Sequence, residues 1–178
     1  LFLQGGSALL TGNRVVGNVA SKGGFGEGGG LQLLESIVTL EGNTVQNNAA
    51  STGTEGFGKG RGGGLYLAYS DATLKGNVVQ SNTGSTEVFG AGGGLWLEHS
   101  TASLEENMLA GNEACIGMGL GGALGMEHSI ATLKSNTFQD NIACAGDSGW
   151  GMGGALYLEA SVGMLEDNTI ASNTASVV

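Results

Sequence analysis

Leu95-Trp96-Leu97-Glu98-His99-Ser100-Thr101-Ala102-Ser103-Leu104-Glu105-Glu106-Asn107-Met108-Leu109-Ala110-Gly111-Asn112 decides the fold, because the chain repeats this frame six times. Copies begin at Leu1, Leu31, Leu65, Leu95, Leu124 and Leu156, at spacings of 30, 34, 30, 29 and 32 residues. The tenth position is Leu10, Leu40, Leu74, Leu104, Leu133 and Leu165. The thirteenth is Asn13, Asn43, Asn77, Asn107, Asn136 and Asn168, and the eighteenth is Asn18, Asn48, Asn82, Asn112, Asn141 and Asn173. Two unbroken asparagine columns mark one structural unit repeated along the chain.

Within a copy the apolar residues alternate over short stretches, as in Leu65 and Leu67, Ala72 and Leu74, then Val79. That period of two indicates short strands joined by bends, about three to a copy. So small a unit cannot bury its own apolar face, but equivalent strands stacked at about 4.8 Å bury a continuous interior. The sequence predicts an all-β, single-stranded parallel β-helix of six coils of about 30 residues forming one domain over 1–178. The hand expected of parallel crossovers is right. Asparagine suits the bends, since it tolerates the left-handed conformation and its stacked amides can satisfy one another.

Composition excludes the competitors. With 36 glycines and no proline among 178 residues, a helical bundle loses about 1 kcal/mol at each interior glycine relative to alanine. Collagen needs a strict glycine period and proline. Hydrophobic residues make up 40% and charged residues 12%, too apolar a balance for a solvated coil. No apolar run approaches the roughly 18 residues that span a bilayer. Six cations against sixteen carboxylates, for a net charge of -10, leave too little positive surface for nucleic acid.

The motifs Gly121-Gly122-Ala123-Leu124 and Gly153-Gly154-Ala155-Leu156, with Phe138-Gln139-Asp140-Asn141 between them, resemble the paired GGA(I/L) and FxxN motifs of chlamydial polymorphic outer-membrane proteins. More broadly the chain is similar to the right-handed β-helix repeats of bacterial adhesins and autotransporter passengers, with the pectin lyase-like class of fold. The other copies read Gly-Gly-Gly-Leu, and Val, Leu or Ile replaces Phe. The resemblance implies an extracellular or cell-surface location and an adhesive or structural role. A solenoid needs its terminal coils covered, so the expected partners are copies of itself or adjacent coils of one long chain, end to end, with glycans or host surfaces as further candidates.

In a stacked solenoid each repeat position becomes a column. The eleventh position alternates in charge from the second coil, as Glu41, Lys75, Glu105, Lys134 and Glu166, which favours one register. Glu98, Glu127 and Glu159 with His99 and His128 form the strongest acid/base or metal candidate, but water-facing bend residues account for them better, and the chain offers no arginine or lysine beside the cluster such as a lyase or hydrolase groove needs. The reading is therefore not an enzyme, with no cofactor and no metal, a polysaccharide lyase or hydrolase being the alternative. Tyr66, Trp96 and Tyr157 share the outward second position and are the candidate ligand surface.

The last segments of the copies, 21–30, 51–64, 85–94, 116–122 and 145–154, vary in length. Each carries a bulky apolar residue before glycine, at Phe25, Phe57, Phe89, Met118 and Trp150. That regularity predicts ordered loops with a second, smaller apolar strip. Cys115 and Cys144 occupy the same position in adjacent copies, and the strand spacing of about 4.8 Å falls within the Cα range of a disulfide, so a bridge is expected.

Overall fold

The computed structural model describes residues 1–53, 58–147 and 149–176. Among these, short strands form five parallel sheets that share one axis. In the third coil the strands Leu65–Ala68, Asp71–Lys75, Val78–Gln80, Thr83–Ser85 and Phe89–Ala91 follow one another around that axis. They define the first to fifth sheets. Each strand pairs only with its equivalents one coil away, in parallel and without slippage, as Leu65 with Leu31 and Leu95. The architecture is the predicted β-solenoid of six coils, but with five strands in each of the first five coils and four among the described residues of the sixth, where the alternation indicates about three. The extra length of the second copy falls between Ala49–Ser51 and Lys59–Arg61.

Inside the first three sheets lies the main core, built from Leu33, Leu67 and Leu97, from Leu40, Leu74, Leu104 and Leu133, and from Val79, Leu109 and Phe138. Each such side chain contributes roughly 1.5–3 kcal/mol by leaving water. No described residue lies in a helix, so no helix is long and apolar enough to cross a membrane.

The asparagine columns are ladders, though not for the reason of backbone tolerance. The left-handed residue at each bend is the one before the asparagine: Gly76, Glu106 and Ser135 before the first column, and Ser81, Gly111 and Asp140 before the second. The asparagine supplies the hydrogen bonds. Asn77 donates from its backbone N–H and its Nδ2 to Oδ1 of Asn107, at 2.8 and 2.9 Å, and Nδ2 also donates to the carbonyl of Leu40 at 2.8 Å. The second column repeats this arrangement, with Asn82 on Asn112 and on the carbonyl of Val45. A buried amide is thus satisfied on every side, which removes a cost of about 1–3 kcal/mol per unpaired group.

A serine ladder runs beside them. Ser36, Ser70, Ser100 and Ser129 are buried, and each backbone N–H donates to the hydroxyl of the next coil's serine at 3.0–3.1 Å. Each hydroxyl returns a bond to the carbonyl two residues earlier, as Ser70 to Ala68 at 2.8 Å. The left-handed residues just before this column include Tyr69, His99 and His128, whose rings stack with centroids 5.0 and 4.9 Å apart. On the second sheet the alternating charges close into Lys75–Glu105 and Lys134–Glu166 pairs at 3.3 and 3.0 Å.

Candidate functional site

Glycine positions the fifth sheet. Its middle residues Gly26, Gly60, Gly90, Gly119 and Gly151 press against carbonyls of the fourth sheet, and a Cβ on any of them would overlap Ala50, Gly84, Ala114, Ala143 or Ala175. With the middle residue turned inward, the residues on either side of it face away from the fourth sheet, since neighbours along a strand alternate. The chain then doubles back through Gly62, Gly92 and their equivalents, which hold φ near 60°. This return brings the third residue of each fifth-sheet strand against the second residue of the first sheet.

The meeting of the two sheets buries the expected ligand surface. Tyr66 and Trp96 are only 4% and 2% exposed, packed with Ala68, Ala91 and Leu120 in a second apolar cluster, and Tyr157 lies half-buried at its margin. These side chains do point away from the main core, as alternation requires. A covering sheet with no apolar alternation of its own hides them, so Tyr66 and Trp96 cannot stack on a ligand.

Arg61 enters the same cluster and corrects a second expectation. Its guanidinium sits between Phe25 and Trp96, 5.9 and 5.8 Å from their ring centroids, and donates from Nη1 to Oε2 of Glu98 at 2.6 Å. The Tyr66 hydroxyl donates to the same oxygen at 2.8 Å. A basic group therefore does adjoin the carboxylate column, brought from 37 residues away. Glu27, which accepts from Gln32 at 2.9 Å, faces this group as well. Burial holds its carboxyl above the ordinary carboxylate range, against the opposing pull of Tyr66 and Arg61. Burial, and then the bond to Glu98, push the Tyr66 hydroxyl up.

The three glutamates of the column do not act together. Glu98 is held by Arg61 and Tyr66, Glu159 accepts from Tyr157 at 2.8 Å, and Glu127 lies 4.0 Å from His128 Nδ1. Among the described residues no three His, Cys, Asp or Glu side chains gather closely enough to hold a metal ion.

What the fifth sheet leaves exposed is its first column. Phe25, Lys59, Phe89, Met118 and Trp150 are register partners on successive coils. Lys59 stands in the register position assigned to Phe57, which lies outside the described residues. Phe25, Met118 and Trp150 are 55%, 45% and 74% exposed, and Phe89 is half-buried. The apolar residues before glycine thus do stack, but as a surface strip. Two surface hollows of about 550 and 420 Å³ lie along it and share Val88 and Met118.

Cys115 and Cys144 are register partners as expected, but the bridge is absent and both are buried free thiols. In-register neighbours in a parallel sheet point the same way. Their Cβ atoms therefore keep the strand separation of about 4.8 Å, beyond the roughly 3.5–4.5 Å a disulfide requires. The Cα spacing satisfied the first criterion and missed the second. The Cys144 thiol instead approaches the carbonyls of Gly117 and Ile116, at 3.1 and 3.2 Å.

Comparison of the chain with protein-family models, curated proteins and solved structures finds no match.

Proposed function

We propose that this chain is a rigid structural and adhesive stretch of an extracellular bacterial surface protein, with the fifth sheet as its contact face. The observation that carries the reading is the strip from Phe25 to Trp150: large apolar side chains held in water on a sheet locked to its neighbour by glycine. Contiguous exposed apolar surface of this kind marks interaction sites. The strip also follows the segments whose length varies from coil to coil, where a solenoid carries its binding variation. The extracellular assignment draws on the resemblance to adhesin repeats and not on the cysteines.

The test is adhesion of beads coated with the purified chain to cell and glycan surfaces. A Phe25→Ser, Trp150→Ser variant should lose adhesion and melt as the parent does. Equal adhesion by the variant would remove the reading.

Polysaccharide cleavage is the second reading, favoured by the Arg61, Glu98, Tyr66 and Glu27 group. Two carboxyl groups in unlike environments, one paired with a cation and one pushed toward its neutral form, are what proton transfer to a glycosidic oxygen uses. Release of reducing ends from polysaccharides, abolished in Glu27→Gln, would support it. No release would exclude it for the substrates tried.

A further inference from the structure

We infer that the first column of the fifth sheet is a platform for an extended β-1,4-linked glycan chain lying parallel to the solenoid axis. This rests on the contact-face reading and goes beyond it by naming the chemistry contacted. The column runs Phe25, Lys59, Phe89, Met118, Trp150, one side chain per coil. Aromatic rings therefore recur on every second coil. In-register parallel strands lie about 4.8 Å apart, so the rings repeat at about 9.6 Å, within an ångström of the disaccharide repeat of a flat β-1,4-linked hexopyranose chain.

Successive rings of such a chain are turned over, and every second ring offers the same face to the same side. That face is a patch of axial C–H groups, which aromatic rings take up, while the equatorial hydroxyls point sideways. Lys59, exposed between Phe25 and Phe89, is placed to donate to those hydroxyls. The shared hollows make the strip continuous to Trp150, about 19 Å in all, or roughly five sugar rings. The glycine contacts with the fourth sheet fix the ring positions before binding, which lowers the ordering cost.

The spacing also selects against the obvious rivals. An extended peptide repeats on one face at about 6.7 Å and drifts out of step with the column within one repeat. An α-1,4-linked glycan coils and leaves a straight column after a few rings.

Calorimetric titration of the whole chain with cello- and chito-oligosaccharides of increasing length, against malto-oligosaccharides, tests the proposal. Affinity should climb with length to about five rings and then level, with no binding of the α-linked series. Phe25→Ala and Trp150→Ala should each weaken binding roughly tenfold. Equal binding of α-linked chains, or full affinity in Trp150→Ala, would overturn it. So would absence of glycan binding by a normally folded chain. If that chain still adheres to cells and Trp150→Ala abolishes the adhesion, the contact face stands and the glycan falls; if adhesion is also insensitive, both fall.

Discussion

Trp96 lies over Gly125 of the next coil, so closely that a Cβ on residue 125 would overlap its Cε3 and Cζ3 atoms. The second position of the first sheet otherwise carries Phe2, Gln32, Tyr66 and Tyr157. Its single glycine is the space into which the indole folds, and the fifth sheet closes over it.

Gly125→Ala should therefore displace Trp96 and cost about 1–3 kcal/mol, the range for overpacking a filled site. Exposed Trp150 masks the signal, so the measurement is indole fluorescence in a Trp150→Phe background together with urea unfolding. A blue-shifted Trp96 emission and an unchanged midpoint in Gly125→Ala would contradict the packing described.

Asn107 is buried and exchanges bonds with Asn77 before it and Asn136 after it, whereas Asn13 is exposed and has a ladder partner on one side only. Replacing Asn107 by Ala strands the N–H of Asn77 and the carbonyl of Leu74. It should destabilise the chain by roughly 1–3 kcal/mol, and Asn13→Ala by well under half of that. Equal urea midpoints for the two variants would remove the ladder argument.

The asparagine columns were legible because a buried amide needs an identical partner one coil away, and so its period survives in the sequence. Serine recurs with the same period, at Ser36, Ser70, Ser100, Ser129 and Ser161, but a hydroxyl at a bend is an ordinary turn residue, and its burial and its bond to the next coil show only once the coils are stacked. The fifth sheet was illegible as a strand, since Lys59-Gly60-Arg61 and Phe25-Gly26-Glu27 have no apolar alternation and owe their place to glycine contacts across coils. For that reason the alternation places Tyr66 and Trp96 on the correct side of their strand but does not reveal what covers them. The approach of Arg61 to Glu98 depends on the same return of the chain and on the register of the longest copy.

The left-handed residues suggest a gain in stability. Glu106 holds φ of 57° and Ser135 of 54°, conformations that cost a side-chain-bearing residue about 1–2 kcal/mol and glycine little. Glycine already occupies the equivalent positions 42 and 76. Glu106→Gly and Ser135→Gly should each raise stability by a few tenths to about 1 kcal/mol, the glycine's extra unfolded-state entropy offsetting part of the relief. A lowered melting temperature in both would show that the bends are not strained.

Glu27 and Glu113 set a pH dependence. Burial raises both carboxyl groups above their ordinary value near 4.5, so the folded chain holds these protons more tightly than the unfolded one. Their contribution is fully present below the unfolded value and is lost as pH rises through the folded one, so stability falls with rising pH across that window. Glu27→Gln, Glu113→Gln should flatten this fall and be more stable than the parent at pH 7. Urea midpoints measured from pH 4 to pH 8 check it, and a steeper fall in the variant would reverse the assignment.

Cys115 and Cys144 provide the last prediction. Each is fully buried, and burial pushes the Cys115 thiol up to about 11, so little of the reactive thiolate exists at neutral pH. With the Cβ atoms held at the strand spacing, closing a bridge would pull two adjacent strands of the fourth sheet together against the glycines of the fifth, which already touch their carbonyls. A disulfide reagent should therefore find no reactive thiol in the native chain and two after unfolding, and the unreduced mass should match that of the dithiol. A deficit of about 2 Da, with no thiol released on denaturation, would mean that the strands do close and that the bridge geometry is met.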